Sequence, residues 1–182
     1  MKLVSIIDYG CGNIRSVFNA FNAIREKKNI RVLVTSKEKE IERANYLVLP
    51  GVGSFESCIK GLKKSNLLDV ITHKVKDDCI PFLGICVGMQ MLATHSFENG
   101  KFEGLNWIEG EVKKMQKTHE RLKIPHMGWS NLELKKETAF IKKLKTKLEF
   151  EKVSAYFVHS YNFFTKNEKN KIMTTDYEQE VT

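Results

Sequence analysis

The amino-acid sequence predicts an α/β fold: a mostly parallel sheet with helices on both faces, plus an appended set of antiparallel strands. Two textures carry that reading. In the first 100 residues short apolar runs alternate with stretches whose apolar residues recur at helical spacing, the pattern of strands buried on both faces by crossover helices. Beyond Gly100 the segments become shorter and alternate apolar with polar, which suits half-buried antiparallel strands. A third observation locates the chemistry. Pro81 to Gln90 passes from an apolar strand through a Gly-x-Cys-x-Gly turn, Gly84-Ile85-Cys86-Val87-Gly88, into a helical pattern.

Taken in order, Leu3 to Ile7 is a buried strand that ends in the turn-rich Asp8-Tyr9-Gly10-Cys11-Gly12-Asn13. Ile14, Val17, Phe18, Phe21 and Ile24 then fall on one helical face, with Asn13 placed to cap it. Arg31 to Thr35 predicts a second strand, Ser36 to Ala44 a short charged helix, and Tyr46 to Leu49 a third strand running into Pro50-Gly51-Val52-Gly53. Helical spacing covers Phe55 to Lys76 with a break near Ser65-Asn66, and after the cysteine Met89, Met91, Leu92 and Ala93 predict a continuing helix whose methionines fill core. Later strands are expected at Trp107 to Lys113, Leu122 to Ile124, Val153 to Val158 and Lys171 to Tyr177, with one helix near Thr138 to Lys147 and a loop at Lys123 to Trp129. No repeat or linker divides the chain, so a single domain over 1–182 is expected.

Composition narrows the function classes. Hydrophobic residues at 42% and charged residues at 29% are ordinary for a soluble globular protein. No run is apolar enough to span a bilayer, and Asp8 arrives too early for a signal peptide, so a cytoplasmic protein is expected. Cys11, Cys58, Cys79 and Cys86 have neither disulfide-scaffold density nor metal-ligand spacing, which predicts free thiols, no metal and no cofactor. The net charge of +8 raises nucleic acid as a partner. Only five of the 30 basic residues are arginine, and the lysines are scattered among glutamates, which argues instead for a solvated surface or one that docks an acidic partner.

The Gly-x-Cys-x-Gly turn suits a nucleophile elbow, a strand-to-helix reversal so tight that side chains beside the nucleophile would obstruct the backbone. It places the Cys86 thiol at a helix N-terminus, where the helix dipole favours thiolate, the reactive form. The glycines flanking Val52 let a backbone turn its N–H groups toward developing negative charge, so Val52 or Gly53 is a candidate oxyanion donor together with the Val87 amide. Two histidines stand out, His126 on its Pro- and Gly-bounded segment and His159 at the end of an apolar strand.

Ile7-Asp8-Tyr9-Gly10, Leu49-Pro50-Gly51-Val52-Gly53, Gly84 to Gln90, Pro125-His126-Met127-Gly128-Trp129 and Tyr156-Phe157-Val158-His159-Ser160-Tyr161 together resemble, in order, the motifs of the class I (triad) glutamine amidotransferases. Within that family they are most similar to the glutaminase subunits of imidazole glycerol phosphate synthases. The resemblance implies that Cys86 attacks the side-chain amide of glutamine, giving a thioester and ammonia that is channelled to a cyclase subunit for imidazole ring formation in histidine biosynthesis. It further implies that Gly51, Gln90, His159, Ser160 and Tyr161 hold glutamine, and that His126, Met127 and Trp129 lie near a cyclase in a heterodimer.

The family completes its triad with a His and a Glu on a late strand reading like Gln-Phe-His-Pro-Glu. Residues 1–182 hold no such segment, and His159 is their last histidine. The expected domain is therefore cut short at its C-terminal end, without the family's last strand and closing helix. Two other readings stand beside the first: the same chemistry feeding a sugar-amidinating synthase in surface-polysaccharide assembly, or a catalytically weak docking subunit.

Overall fold

Four apolar runs become strands β1 (Lys2–Ile7), β2 (Ile30–Thr35), β3 (Tyr46–Gly51) and β4 (Phe82–Cys86), hydrogen bonded in the order β2-β1-β3-β4 and all parallel. Between them run helices α1 (Ile14–Asn22), α2 (Arg25–Lys28), α3 (Glu38–Glu42), α4 (Phe55–Lys64) and α5 (Leu68–Lys76), and a single turn of helix, α6 (Val87–Gln90), follows β4. These observations come from a computed structural model that describes residues 1–146 and 153–182. The described residues fall into two compact units, Met1–Leu92 and Ala93–Thr182.

In the first unit the alternation along β1 sends successive side chains to opposite faces. Val4 and Ile6, joined by Val48 of β3, pack against Ile14, Val17, Phe18 and Phe21 of α1. On the other face the buried Ser5 hydroxyl donates to the Glu40 carbonyl of α3 at 3.5 Å. The sheet is thus covered from both sides, as the alternating sequence predicts. Asn13 caps α1 by accepting from the Ser16 amide, and Ser54 caps α4 by accepting from the Ser57 amide, each satisfying an N–H that the helix itself cannot. Phe55, Cys58, Ile59 and Leu62 are the buried positions of α4, the i, i+3, i+4, i+7 stripe of a helix with one face in a core. Complete burial of a side chain such as Phe55 or Leu62 contributes about 1.5–3 kcal/mol. The break before α5 falls at Asn66, whose φ of 59° is the left-handed conformation that asparagine tolerates.

The helix after the cysteine departs from expectation. Helical hydrogen bonding stops after Met91 donates to the Val87 carbonyl, and Met91, Leu92 and Ala93 are buried in a turn rather than along a helix. Apolar spacing alone could not tell a buried turn from a buried helix.

Among the described residues, the second unit holds three sheets. One is ordered β11-β7-β5-β6, from β5 (His95–Ser96), β6 (Phe102–Glu103), β7 (Gly110–Lys114) and β11 (Tyr161–Thr165). A second is an antiparallel ribbon of β8 (His126–Asn131) and β10 (Ser154–His159), and a third joins β9 (Glu133–Leu134), β12 (Met173–Asp176) and β13 (Glu180–Val181). Helix α7 (Ala139–Lys145) begins where Thr138 accepts from the Ile141 amide; Lys147, the expected end of this helix, lies outside the described residues.

Several expectations shift here. The strand expected from Trp107 begins only at Gly110, after a bend at Trp107 and Ile108. Leu122 to Ile124 form no strand; Leu122 is buried where a turn closes on His119. The segment expected as a loop around His126 is strand β8. Its Gly128 sits at φ 142°, a torsion that suits glycine and lets a strand pass through a residue that reads as a turn marker.

Candidate active site

The cysteine elbow forms as the glycine spacing predicts, and its cause is backbone contact. Parallel pairing sets Leu49 beside Gly84, Pro50 beside Ile85 and Gly51 beside Cys86. A Cβ on Gly88 would lie 1.9 Å from the Leu49 carbonyl oxygen, one on Gly84 would lie 2.7 Å from the Met89 Cα, and one on Gly51 would lie 2.4 Å from the Gly88 nitrogen. No side chain fits at these three positions, so the reversal after β4 presses directly on the end of β3. Cys86 itself takes φ 54° and ψ −117°, a conformation that strains any residue with a Cβ by about 1–3 kcal/mol. Its side chain is exposed. Val87 is buried at the start of α6 and Gln90 is buried at its end. With only four residues, α6 gives the thiol one turn of aligned peptides instead of the longer helix expected.

The segment after β3 is tied down from the side of α4. Tyr9, buried in the turn after β1, donates its hydroxyl to the Pro50 carbonyl at 2.7 Å. The buried Cys58 thiol of α4 donates to the Val52 carbonyl at 3.4 Å. Burial, with the nearby Cys58 adding to it, holds the Tyr9 phenol far above its ordinary range, and burial likewise pushes the Cys58 thiol up to about 11. Both groups therefore keep their protons and remain donors at neutral pH. Gly12 at φ 106° closes against Pro50, where its Cβ would stand 3.0 Å from the proline Cβ. Val52 is 57% exposed, and no atom lies within 4 Å of the place a Gly53 Cβ would occupy. Sequence reasoning assigned no role to Tyr9 or Cys58, because neither tether is marked by local spacing.

In the second unit the two singled-out histidines come together. His159 Nδ1 donates to the Tyr161 carbonyl at 2.9 Å, which can only accept. His159 Nε2 is then the acceptor for His126 Nδ1 at 3.2 Å, and His126 Nε2 accepts from the Ser130 hydroxyl at 2.8 Å. The His126 ring stacks between Phe157, 4.7 Å away at 13°, and Tyr177, 3.8 Å away at 20°. Burial and then the neighbouring His159 lower the pKa of His126; burial lowers that of His159, with the Tyr161 carbonyl opposing.

The residues singled out in the sequence differ in exposure. His126 is buried and does not reach the surface at which a partner was expected, whereas Met127 and Trp129, on alternate positions of the same strand, are exposed. Opposite them on β10 stand the exposed Val158 and Tyr156, the latter edge-on to Trp129. Both ring nitrogens of His159 are hydrogen bonded within the unit. Ser160 separates β10 from β11 and its carbonyl accepts from the Met115 amide; Tyr161 begins β11.

A sequence model of the class-I glutamine amidotransferase family matches residues 5–182. The imidazole glycerol phosphate synthase subunit HisH of Rhodopseudomonas palustris is 42% identical over 182 residues, covering 98% of this chain and 83% of that protein. HisH of Bradyrhizobium diazoefficiens is 43% identical at the same coverage, 98% and 83%, and HisH of Pelagibacter ubique is 37% identical, again over 98% and 83%. Among solved structures, a glutamine amidotransferase superposes with a TM-score of 0.66 at 15% identity, over 95% of this chain and 84% of that one. Another, from Thermotoga maritima, gives 0.59 at 21% identity, over 97% and 71%. At those identities the likeness concerns the fold.

Proposed function

The chain belongs to the class-I glutamine amidotransferases, as a glutaminase subunit of imidazole glycerol phosphate synthase in histidine biosynthesis, and on that premise we propose that Cys86 is the nucleophile that hydrolyses glutamine. Its sulfur adds to the side-chain amide carbon, the tetrahedral intermediate expels ammonia as the C–N bond breaks, and water then cleaves the thioester to glutamate. The observation that carries this reading is the strained, exposed Cys86 held between Gly84 and Gly88 at φ 54°. A nucleophile on such a turn stands clear of its own backbone and within reach of an acyl carbon.

The Val87 amide and an amide of the 52–53 segment would receive the charge that develops on the amide oxygen. Roles in holding glutamine belong to Gly51, Gln90, Ser160 and Tyr161, with His159 acting through the backbone it fixes. The proton that leaves the thiol and returns to the departing ammonia needs a base, and we assign that role to none of residues 1–182. We further infer a cytoplasmic enzyme paired with a cyclase subunit that consumes the ammonia, with Met127 and Trp129 at the contact. The relatives' names favour this pathway over a sugar-amidinating synthase.

Glutamate release from glutamine, measured on the full chain with its cyclase beside a Cys86→Ser variant, tests the reading. Release that disappears with the thiol supports it; release that survives the substitution overturns it.

A further inference from the structure

We propose that Cys11 and Cys58 are an oxidisable thiol site other than Cys86, in which a hydroperoxide oxidises Cys11 and Cys58 then closes a disulfide that staples the turn after β1 to α4. Both residues belong to the first unit, and both are free thiols in the structure. The Cys11 thiol donates to the Ser57 carbonyl at 3.7 Å, the carbonyl of the residue just before Cys58. It also stands 3.5 Å from the place a Gly61 Cβ would occupy. Positions 58 and 61 are neighbours on one face of α4, with about 5–6 Å between Cβ positions at that spacing. The Cys11 sulfur therefore lies over the turn of helix that carries Cys58, and the two thiols are hydrogen-bond partners.

Gly61 makes that approach possible. Glycine in a helix interior forfeits stability relative to alanine, and here a Cβ would stand 3.2 Å from the Tyr9 carbonyl oxygen and 3.5 Å from the Tyr9 ring. The bare helix surface lets residues 9–11 lie directly on α4. Exposure then separates the two roles. Cys11 is half-buried and Cys58 is fully buried, so a small oxidant meets Cys11 first. Burial keeps Cys58 protonated at neutral pH, which protects it from the oxidant and leaves it as the resolving thiol. The Cys11 sulfur attacks the hydroperoxide O–O bond: an S–O bond forms, the O–O bond breaks, and the leaving oxygen takes the thiol proton, giving a sulfenic acid and an alcohol or water. The Cys58 sulfur then attacks the Cys11 sulfur; the S–S bond forms, the S–O bond breaks, and the departing hydroxide takes the Cys58 proton as water. Two thiols are oxidised as one hydroperoxide is reduced. Closure also withdraws the Cys58 hydrogen from the Val52 carbonyl.

The test treats the full chain with hydrogen peroxide, blocks remaining thiols with N-ethylmaleimide and maps the peptides by mass spectrometry. In the unsubstituted chain Cys11 should be joined to Cys58 within one molecule, two hydrogens lighter than the reduced pair, and dithiothreitol should reverse the link. A chain carrying Cys79→Ser and Cys86→Ser keeps Cys11 and Cys58 as its thiols and should form the same link. Adding Cys58→Ser to it should leave Cys11 as a sulfenic acid that dimedone captures, whereas adding Cys11→Ser should slow oxidation of Cys58 by about tenfold or more. Joining segments far apart in sequence restricts the unfolded chain, so the oxidised double variant should melt about 5 °C or more above the same sample after dithiothreitol.

Failure of peroxide to join Cys11 to Cys58 in the unsubstituted chain overturns the proposal, whether Cys58 pairs with Cys79 or Cys86 instead or no disulfide forms. A link found only between separate chains does the same. So does oxidation of Cys58 that is as fast without Cys11, which makes Cys11 a bystander, or a melting temperature that falls on closure, which means that the native fold does not accommodate the bond. None of these readouts depends on glutamate release, so the thiol pair is tested apart from the glutaminase reading.

Discussion

His126 donates a hydrogen bond from Nδ1 to His159 Nε2 across 3.2 Å, and the direction is set by the Tyr161 carbonyl at the far end of the chain of bonds. Each ring is neutral in this arrangement, because a proton added to His159 Nε2 would face the His126 N–H. Both folded-state pKa values lie below the ordinary value of about 6.5. The folded chain thus binds fewer protons than the unfolded chain as pH falls below that value.

Stability from this pair is accordingly full above about pH 6.5 and is lost as pH falls through the depressed folded values. The melting temperature of the protein should be level from about pH 6.5 to about pH 8 and should drop on acidification below 6.5; above about pH 8 the buried Cys58 and Tyr9, whose raised folded values keep their protons on, lower it again. A His126→Gln variant should show less of that drop, and an equally steep one would place the titrating group elsewhere.

Glycine 88 and glycine 53 should respond differently to alanine. At Gly88 the new Cβ meets the Leu49 oxygen at 1.9 Å, so β3 and the elbow must part. The expected result is a loss of at least about 3 kcal/mol and of Cys86 reactivity together, since overpacking against backbone has no flexible side chain to yield. At Gly53 space is open and only the φ of 94° is strained, so the loss should be about 1–2 kcal/mol. Chemical denaturation of the two variants checks the order.

Cys86→Gly should stabilise the fold while ending glutamine hydrolysis. The sulfur is exposed, so little burial is forfeited, and glycine relieves the φ of 54°. A gain of about 1 kcal/mol is expected from that relief, less whatever the added freedom of the unfolded chain removes. Unfolding midpoints compared among wild type, Cys86→Gly and Cys86→Ala decide it, because alanine keeps the strain.

Trp129→Ala should leave the melting temperature within a degree or two, since the side chain is 72% exposed, yet weaken binding to the cyclase. An aromatic anchor at an interface centre is worth about 2 kcal/mol or more, roughly a thirtyfold rise in Kd. Calorimetric titration of the variant against the cyclase measures it, and unchanged affinity would remove Trp129 from the contact.

What was legible in the sequence followed from short-range physics. Gly84 and Gly88 announced the elbow because a two-residue spacing around a cysteine has few other uses, and Asn13 announced the cap of α1 because the capping bond spans three residues. Strand β8 was hidden by Pro125 and Gly128, whose local preference for turns was overridden by pairing with β10, more than twenty residues away. The tether from Tyr9 to Pro50 spans 41 positions and the histidine pair spans 33. Such contacts depend on where the sheets bring two segments, which no local pattern encodes. The short α6 was missed for a related reason: buried turns and buried helices use the same residues.

The interlock of Gly51, Gly84 and Gly88 bears on anyone who would redesign this reaction centre. A library that randomises residues 49–53 and 84–90 does not explore twelve independent positions, because three of them admit a single letter before any chemistry is asked of the protein. Diversity would have to be placed at exposed neighbours such as Val52 or Leu83, where a side chain can change without moving a main chain. The address of Cys86 is written in omitted atoms, and a screen that treats those omissions as blanks to be filled will mostly recover unfolded protein.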